Sequence, residues 1–559
     1  MSKPHKGGNP KLLMAIGATF LGLGVWGQSG GVNVDPGAHL FFGILIFMGG
    51  MGIIEGGIGD YRAWRQEELR KQAEKPSGIF GAASFASYQE CANAGLNDPR
   101  GLFLGMQDGN PLFYSGKAHL FTCAPARQGK GINVVIPNLL HHTGSVVVTD
   151  PKGELAAVTA LHRETAFGQR VVVFNPWGLH GLPCHRINPL EELIALGAEK
   201  RLQRGLTDEV KRIALQLYPE PEDSRNRYWR EGARGIIRAA LLYLAIHAPT
   251  RCTLPEVWRI VANPRRLERT VAQMRKSEEL GGQLADLGDD MAVQMEDNAE
   301  QFADFRAGAV QALDIYEPGG YLADAVSGSD VSLAALKGGK VSIYLAFPQD
   351  RIASHGAALG LIVNQAITAV ARTQGKGKVL FLLDEFANMG KLTGLAESLT
   401  ALPGLGVRVW MFVQELAELV RIYGPNTATT VLSQAEVKQF FAVNNQELAQ
   451  TLSKALGQKT VKTRNYSLGR FADDEIGESL SESAQPLMRP EEIMLMPANQ
   501  QLLLVKGIRP VLARRVPFWF IEPWASAAAS NPIEGDYPAP RPILELTYRR
   551  KSESEMSNG

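Results

Sequence analysis

A chain of 559 residues, 45% of them hydrophobic, has material for roughly three folded domains. Its net charge of +1, with 21% charged residues, excludes a protein that coats polyanions along its whole length. Nucleic-acid contact would need a local patch or an oligomeric ring. Cys91, Cys123, Cys184 and Cys252 are scattered without a Cys-x-x-Cys pair, which argues against a zinc site, and they read as reduced packing thiols of a cytosolic body.

Two apolar runs open the chain. Leu12 to Val34 holds 23 residues without a charge and Pro36 to Ile54 another 19, each near the ~20 that cross a hydrocarbon layer as a helix. Asp35 alone separates them, so the connecting turn is short. Lys3, Lys6 and Lys11 precede the first run, and Arg62, Arg65, Arg70, Lys71 and Lys75 follow the second. The excess of positive charge puts both ends in the cytoplasm. No small-x-small cleavage pattern follows Trp26, which argues against a signal peptide. Residues 1–60 are therefore expected to form a two-helix transmembrane anchor, and residues 61–100 a cytoplasmic linker.

Leu120 to Cys123 reads as a short buried strand and Ile132 to Leu140 as an apolar helix that Pro137 should kink. Between them runs Ala124, Pro125, Ala126, Arg127, Gln128, Gly129, Lys130 and Gly131. Loops of this kind gather backbone N–H groups around phosphates at a helix N-terminus, while the lysine neutralises the terminal pair. The full pattern is Gly-x4-Gly-Lys-Ser/Thr. Ala124 stands in for the first glycine, which is tolerable where φ is negative. Gly131 stands where a magnesium-binding hydroxyl is usual.

Ser145 to Thr149 and Arg170 to Phe174 continue the strand series, and residues 191–330 then read as helical throughout. Glu278 to Asp304 contains nine acidic residues and no Lys or Arg, either a solvated face or a docking surface for a basic signal. Arg225, Arg227, Arg230, Arg234 and Arg238 form a basic helical stretch that suits a pore lining or internal pairing. Strands resume at Lys340 to Phe347 and at Val379 to Leu383, which delivers Asp384 and Glu385 to a strand end. There Asp384 would hold Mg2+ through water, and Glu385 would orient and deprotonate an attacking water. Val407 to Val413 ends in Gln414, placed to sense a terminal phosphate. Arg408 and Arg421 are candidates to reach a neighbouring subunit's phosphate. Val437 to Ala442 and Gln501 to Val505 complete the series. Apolar strands alternating with helices predict an α/β parallel sheet with its site at the carboxyl ends. After Trp524 the composition turns to Ala, Ser, Pro and charge, so residues 525–559 are expected to be a disordered tail.

The ordered set Ala124 to Leu140, Ser145 to Glu154, Phe174-Asn-Pro176, Tyr228-Trp229, Leu382 to Phe386 and Gln414 resembles the coupling proteins of type IV secretion. The resemblance runs from about residue 1 to 520. It implies a RecA-like P-loop NTPase sheet (residues 101–190 and 331–524), an inserted all-helical substrate-recognition domain (residues 191–330), and an anchor in the bacterial inner membrane. It further implies a homo-hexamer that uses ATP and Mg2+. The implied partners are the secretion channel and inner-membrane components, with secreted protein effectors, relaxase and DNA as candidate cargo. Asp150, Lys152 and Glu154 match a second signature of the family, with a supporting polar role. The competing readings are a nucleotide-binding receptor or scaffold with little turnover and a DNA translocase or segregation ATPase.

Overall fold

The computed structural model describes residues 61–65, 67–69, 71, 75–220, 224–390, 392, 398–467, 477–536 and 542–546. Both apolar runs of the expected anchor lie outside these residues. Two compact units are present: Ser84–Ala455 with Met488–Gly559, and Met1–Ala83 with Leu456–Leu487.

The strands, in chain order, are β1 (Leu102–Gln107), β2 (Asn110–Tyr114), β3 (His119–Cys123), β4 (Ser145–Asp150), β5 (Arg170–Phe174), β6 (Val341–Ala346), β7 (Val379–Leu383), β8 (Val407–Val413) and β9 (Ala435–Phe440). The smaller unit contributes β10 (Gln458–Ser467) and β11 (Gly477–Pro486), an antiparallel hairpin. β12 (Gln500–Val505) and β13 (Val511–Arg514) belong to the larger unit.

Eleven strands of the larger unit form one sheet in the order β2-β1-β13-β12-β9-β3-β8-β7-β4-β6-β5. From β9 to β5 every pairing is parallel. Strands such as Ser-Val-Val-Val-Thr-Asp and Val-Leu-Phe-Leu-Leu are buried at every position, because helices cover both faces of a parallel sheet. The expectation of a parallel sheet fails at its other edge. β12, read as one more parallel strand, runs antiparallel to β9 and to β13. Only a short turn joins β12 to β13, and a turn of that length permits only an antiparallel pair. Strands β1, β2 and β13 extend this antiparallel edge.

The helix after β3 begins as a π-helical turn, Gly131–Val135, and becomes α-helical at Ile136–His141. Pro137 lies just past the junction, where the ladder already shifts register and its missing N–H costs least. Asn138 clamps the turn to β1, accepting from the Phe103 N–H (2.8 Å) and donating to the Phe103 and Val134 carbonyls.

Between β5 and β6 the described residues form only helices and turns, from Glu191–Ala198 to Tyr321–Ala325. The longest, Arg227–His247, buries Ile236, Ile237, Leu241 and Leu244. Its arginines are largely spent on internal pairing. Arg234 is buried and bonds Glu220 and Glu231, Arg238 reaches Glu231, Arg227 reaches Glu220, and Arg230 stacks 4.6 Å over Tyr218. Tyr228 and Trp229 are exposed against Phe305. Eight of the nine acids from Glu278 to Asp304 are exposed, Glu279 being half-buried, and Asp289 pairs with Arg275. Most of that run is a solvated face.

Helix Gln349–Arg372 is, among the described residues, the one long and apolar enough to span a membrane, but 67% of its apolar window is buried. It is a core helix. Gln216 of the helical insert donates to the Gly360 carbonyl and accepts from Asn364.

Two sequence expectations need correction. Cys184 is exposed rather than packed, while Cys91, Cys123 and Cys252 are buried. The chain also stays folded past Trp524. That indole is fully buried against Phe103 and His141 (ring centroids 5.0 and 5.5 Å). Its anchorage carries the following residues onto the sheet's helices, where the Ala529 N–H donates to the Val158 carbonyl and Asn531 is buried.

Candidate functional site

β3, β8 and β7 are adjacent in that order, so the loop after β3 and the residues that end β8 and β7 share one sheet edge. The loop starts at Ala124, whose N–H donates to the Val413 carbonyl at the end of β8 (3.0 Å). Ala124 is fully buried and is not among the residues of positive φ, so alanine serves there. The left-handed positions fall instead on the exposed Arg127 (φ 59°) and on Gly129 (φ 77°). At Gly129 a Cβ would come within 2.5 Å of Asn133 Nδ2, which itself donates to the Gly129 carbonyl at 2.8 Å. Pro125, Ala126 and Gln128 complete the turn.

Lys130 then points into the site. Its Nζ lies 3.3 Å from Asp384 Oδ1 and 3.7 Å from Glu385 Oε1, with only 9% of the side chain exposed. None of these contacts has hydrogen-bond alignment, so the ammonium keeps donor capacity for an anion. Burial alone would lower its pKa, but the Asp384 and Glu385 carboxylates outweigh burial and hold it raised and charged.

Glu385 sits at φ 54°, an unusual conformation for a residue with a Cβ and one that costs on the order of 1–3 kcal/mol. The strain turns its carboxylate into the site, where Gln414 Nε2 donates to Oε1 (2.8 Å) and Asn388 Nδ2 to Oε2 (3.0 Å). Burial, then the Asp384 charge, lift its pKa above the usual carboxylate range, against Lys130 and Gln414. The Glu385 N–H donates to Asp384 Oδ1 (3.0 Å), and Thr149 Oγ1–H holds the Asp384 carbonyl (2.8 Å). Lys130, Asp384, Glu385 and Gln414 therefore meet at one point. A buried ammonium beside a carboxylate held at both oxygens suits binding a phosphate chain and activating a water.

Asp150 ends β4, but its side chain turns away from that point. Oδ2 accepts from the Ala156 N–H (2.9 Å) and organises the start of helix Glu154–Thr165. Burial pushes its pKa up to about 7. The folded state therefore keeps a proton that the unfolded chain loses near the ordinary carboxylate value. Stability should fall as pH rises from about 4 to about 7, by on the order of 1–3 kcal/mol. Urea unfolding at pH 5 and pH 8 checks this, and Asp150→Asn should flatten the dependence. Lys152 is exposed, and its carbonyl accepts from His180 Nε2 (2.7 Å). Glu154 faces Gly131, 3.2 Å from where a Cβ on that glycine would stand.

Arg408 does not belong to the site. It lies near the start of β8, at the opposite sheet edge, donating to the Gly116 carbonyl and 5.8 Å from the Tyr114 ring. Arg421 is exposed on helix Leu416–Tyr423, which follows Gln414.

Asn388, Thr149 and Arg515 were missed in the sequence. Arg515 is 7% exposed, stacks 4.2 Å over Phe441 and donates to the Gln128 carbonyl in the loop. Burial lowers its pKa to about 10. Nothing local marks it, because it follows β13, a short antiparallel strand far along the chain. Asn388 offered a weak signal, three residues after an acid in a turn.

Residues 82–535 match the family model described as type IV secretory system conjugative DNA transfer. Protein VirD4 of Agrobacterium fabrum is 29% identical over 455 residues, covering 78% of this chain and 66% of that protein. The conjugal transfer protein TraG of Escherichia coli is 28% identical over 462 residues, covering 76% of this chain and 71% of that one. The chain thus spans about two thirds of these relatives' length. Among solved structures, the bacterial conjugative coupling protein TrwB shares the fold, with a TM-score of 0.56 at 15% identity, over 79% of this chain and 96% of that one. The family model spans most of the sequence, and the chain belongs to the type IV secretion coupling protein family.

Proposed function

We propose that this chain is the motor subunit of a type IV coupling protein, which hydrolyses ATP to recruit substrates and deliver them to a secretion channel. The convergence of Lys130, Asp384, Glu385 and Gln414 at one sheet edge carries the reading. In it, Lys130 neutralises the β- and γ-phosphates, and the loop N–H groups from Ala126 to Gly131 cradle them. Glu385 takes a proton from the attacking water and Gln414 senses the terminal phosphate. The carboxylate-rich edge fits a magnesium ion, which Asp384 would hold and which supplies charge neutralisation on the phosphates when bound. TrwB has been captured with ADP and Mg2+ and with a non-hydrolysable ATP analogue. That supports the same ligands here.

The motor comprises residues 101–190 and 331–524, and residues 191–330 recognise cargo, either protein effectors or a relaxase with its DNA. A homo-hexamer would place the exposed Arg421, on the helix after Gln414, where a neighbouring subunit's nucleotide can be reached. The charge-free runs Leu12 to Val34 and Pro36 to Ile54 support anchorage in the inner membrane with the motor in the cytoplasm.

Hydrolysis by the detergent-extracted full chain tests the motor. Lys130→Ala should lower turnover about 10²-fold or more, since it removes the principal phosphate charge. A wild type no faster than this variant would sink the motor and leave a nucleotide-binding receptor.

A further inference from the structure

Gly131 deprives the loop of the hydroxyl that usually meets the metal of a bound nucleotide. A Cβ built there would lie 3.2 Å from Glu154 Oε1. A serine hydroxyl is one bond further out, so the Glu154 carboxylate stands beside the place that hydroxyl would take.

Glu154 is brought there by a built turn. Asp150 offers its carbonyl to the Gly153 N–H (3.3 Å) and its Oδ2 to the Ala156 N–H (2.9 Å). Gly153 is left-handed at φ 71°, with Leu179 and His180 crowding the place of a side chain. Burial raises Glu154 above the usual carboxylate range; Lys152 and a hydrogen bond from Asn531 draw it back, and the Glu534 and Asp384 charges add to the rise. An acid in the first turn of a helix is ordinarily accounted for by the helix dipole alone. The dipole does not set its direction: the carboxylate, bonded by Asn531, stands beside the phosphate loop at the position lacking the hydroxyl.

We propose that Glu154, together with Asp384, holds the divalent cation of the bound metal–nucleotide in place of the absent hydroxyl. The inference rests on the nucleotide reading above. Magnesium accepts one or two carboxylates alongside the phosphates, and an anionic oxygen is a stronger ligand than the neutral hydroxyl it replaces.

The test measures binding of a fluorescent ATP analogue to the full-length protein with Mg2+ and with EDTA, and the Mn2+ resonance signal in the nucleotide complex. The wild type should bind about tenfold more tightly with Mg2+. Glu154→Gln should lose most of that gain, alter the Mn2+ signal, and keep its affinity in EDTA within about twofold. Gly131→Ser added to Glu154→Ala, where the shortened side chain leaves room, should restore at least about threefold of the gain. A Glu154→Gln protein with the full metal gain and an unchanged Mn2+ signal overturns the proposal. So does a parallel loss in EDTA, which would make Glu154 a loop-shaping residue. If Glu154→Gln does not fold, Glu154→Asp is judged by the same measurements. If the wild type and Lys130→Ala are equally unable to bind nucleotide, the nucleotide reading itself fails, and this inference falls with it.

Discussion

Replacing Glu385 by Gln should lower kcat about 10²–10³-fold while nucleotide affinity stays within a few-fold. The substitution keeps the shape of the side chain but removes its ability to take a proton. It also changes what Gln414 and Asn388 can do. Both donate amide N–H groups to the wild-type carboxylate, and a glutamine offers one oxygen where the acid offers two. One donor is then left facing an amide, a local cost of about 1 kcal/mol that does not reach the phosphate loop. Because burial and Asp384 raise the pKa of Glu385, the acid limb of the wild-type kcat/KM profile should lie above the ordinary carboxylate range. Steady-state turnover across pH, beside equilibrium binding of a nucleotide analogue, checks both statements. A kcat within threefold of wild type would remove Glu385 from the chemistry.

The same glutamate is mechanically tied to the helical insert. In helix Gln349–Arg372, a Cβ on Gly356 or Gly360 would come within 2.4 Å of the Asn388 or Met389 carbonyl. The helix therefore lies directly on the turn that carries Asn388. Gln216 of the insert bonds the Gly360 carbonyl on that helix, and Arg212 bonds Gln365 one turn later. Arg372 bonds Glu209 from the helix's far end. Small residues set the approach, and side-chain amides fasten the insert to it. A continuous packed path thus runs from the helical insert to the residue that steadies Glu385.

What could be read in the sequence follows from how local each signal is. The parallel strands were legible because burial on both faces leaves runs such as Ser145-Val-Val-Val-Thr149 with no polar interruption. The convergence of Lys130, Asp384 and Gln414 was legible because each ends such a run, and parallel strands share a carboxyl edge. The antiparallel edge was not. β13 has only four residues, and β1 and β2 carry Gly105 and Pro111, residues that otherwise punctuate loops. The left-handed backbone at Glu385 was also hidden, since nothing in Leu-Asp-Glu-Phe asks for positive φ. Arg408 misled because adjacency in sequence to a site strand says nothing about which end of the strand a residue occupies.

Arg163 shows the same limit in its strongest form, and its replacement by Ala should destabilise the larger unit by about 3–5 kcal/mol. In Leu161-His-Arg-Glu-Thr165 it reads as part of a charged, solvated helix end. The structure buries it completely. Its five N–H groups are all spent: on Ser342 Oγ, on the Leu139, His142 and Gly144 carbonyls, and on Gln169 Oε1, at 2.6 to 2.9 Å. These acceptors come from the helix after the phosphate loop, the turn into β4, the lead-in to β5, and β6. One planar cation thus closes the base of the sheet beneath the site. Burial alone pushes the guanidinium below its ordinary pKa, and no carboxylate among the described residues bonds to it. The carbonyl dipoles must therefore supply what an ion pair would. Removing the side chain leaves the Leu139 and His142 carbonyls without this donor, each at about 1–3 kcal/mol before relaxation, while Gly144 keeps Gln169 Nε2 (2.9 Å). Arg163→Lys should recover less than half of the loss, because three donors on a flexible stem cannot reproduce a rigid five-donor fork. Denaturant unfolding of both variants measures this, and a loss below about 1 kcal/mol for Arg163→Ala would show that the neighbouring carbonyls find other partners.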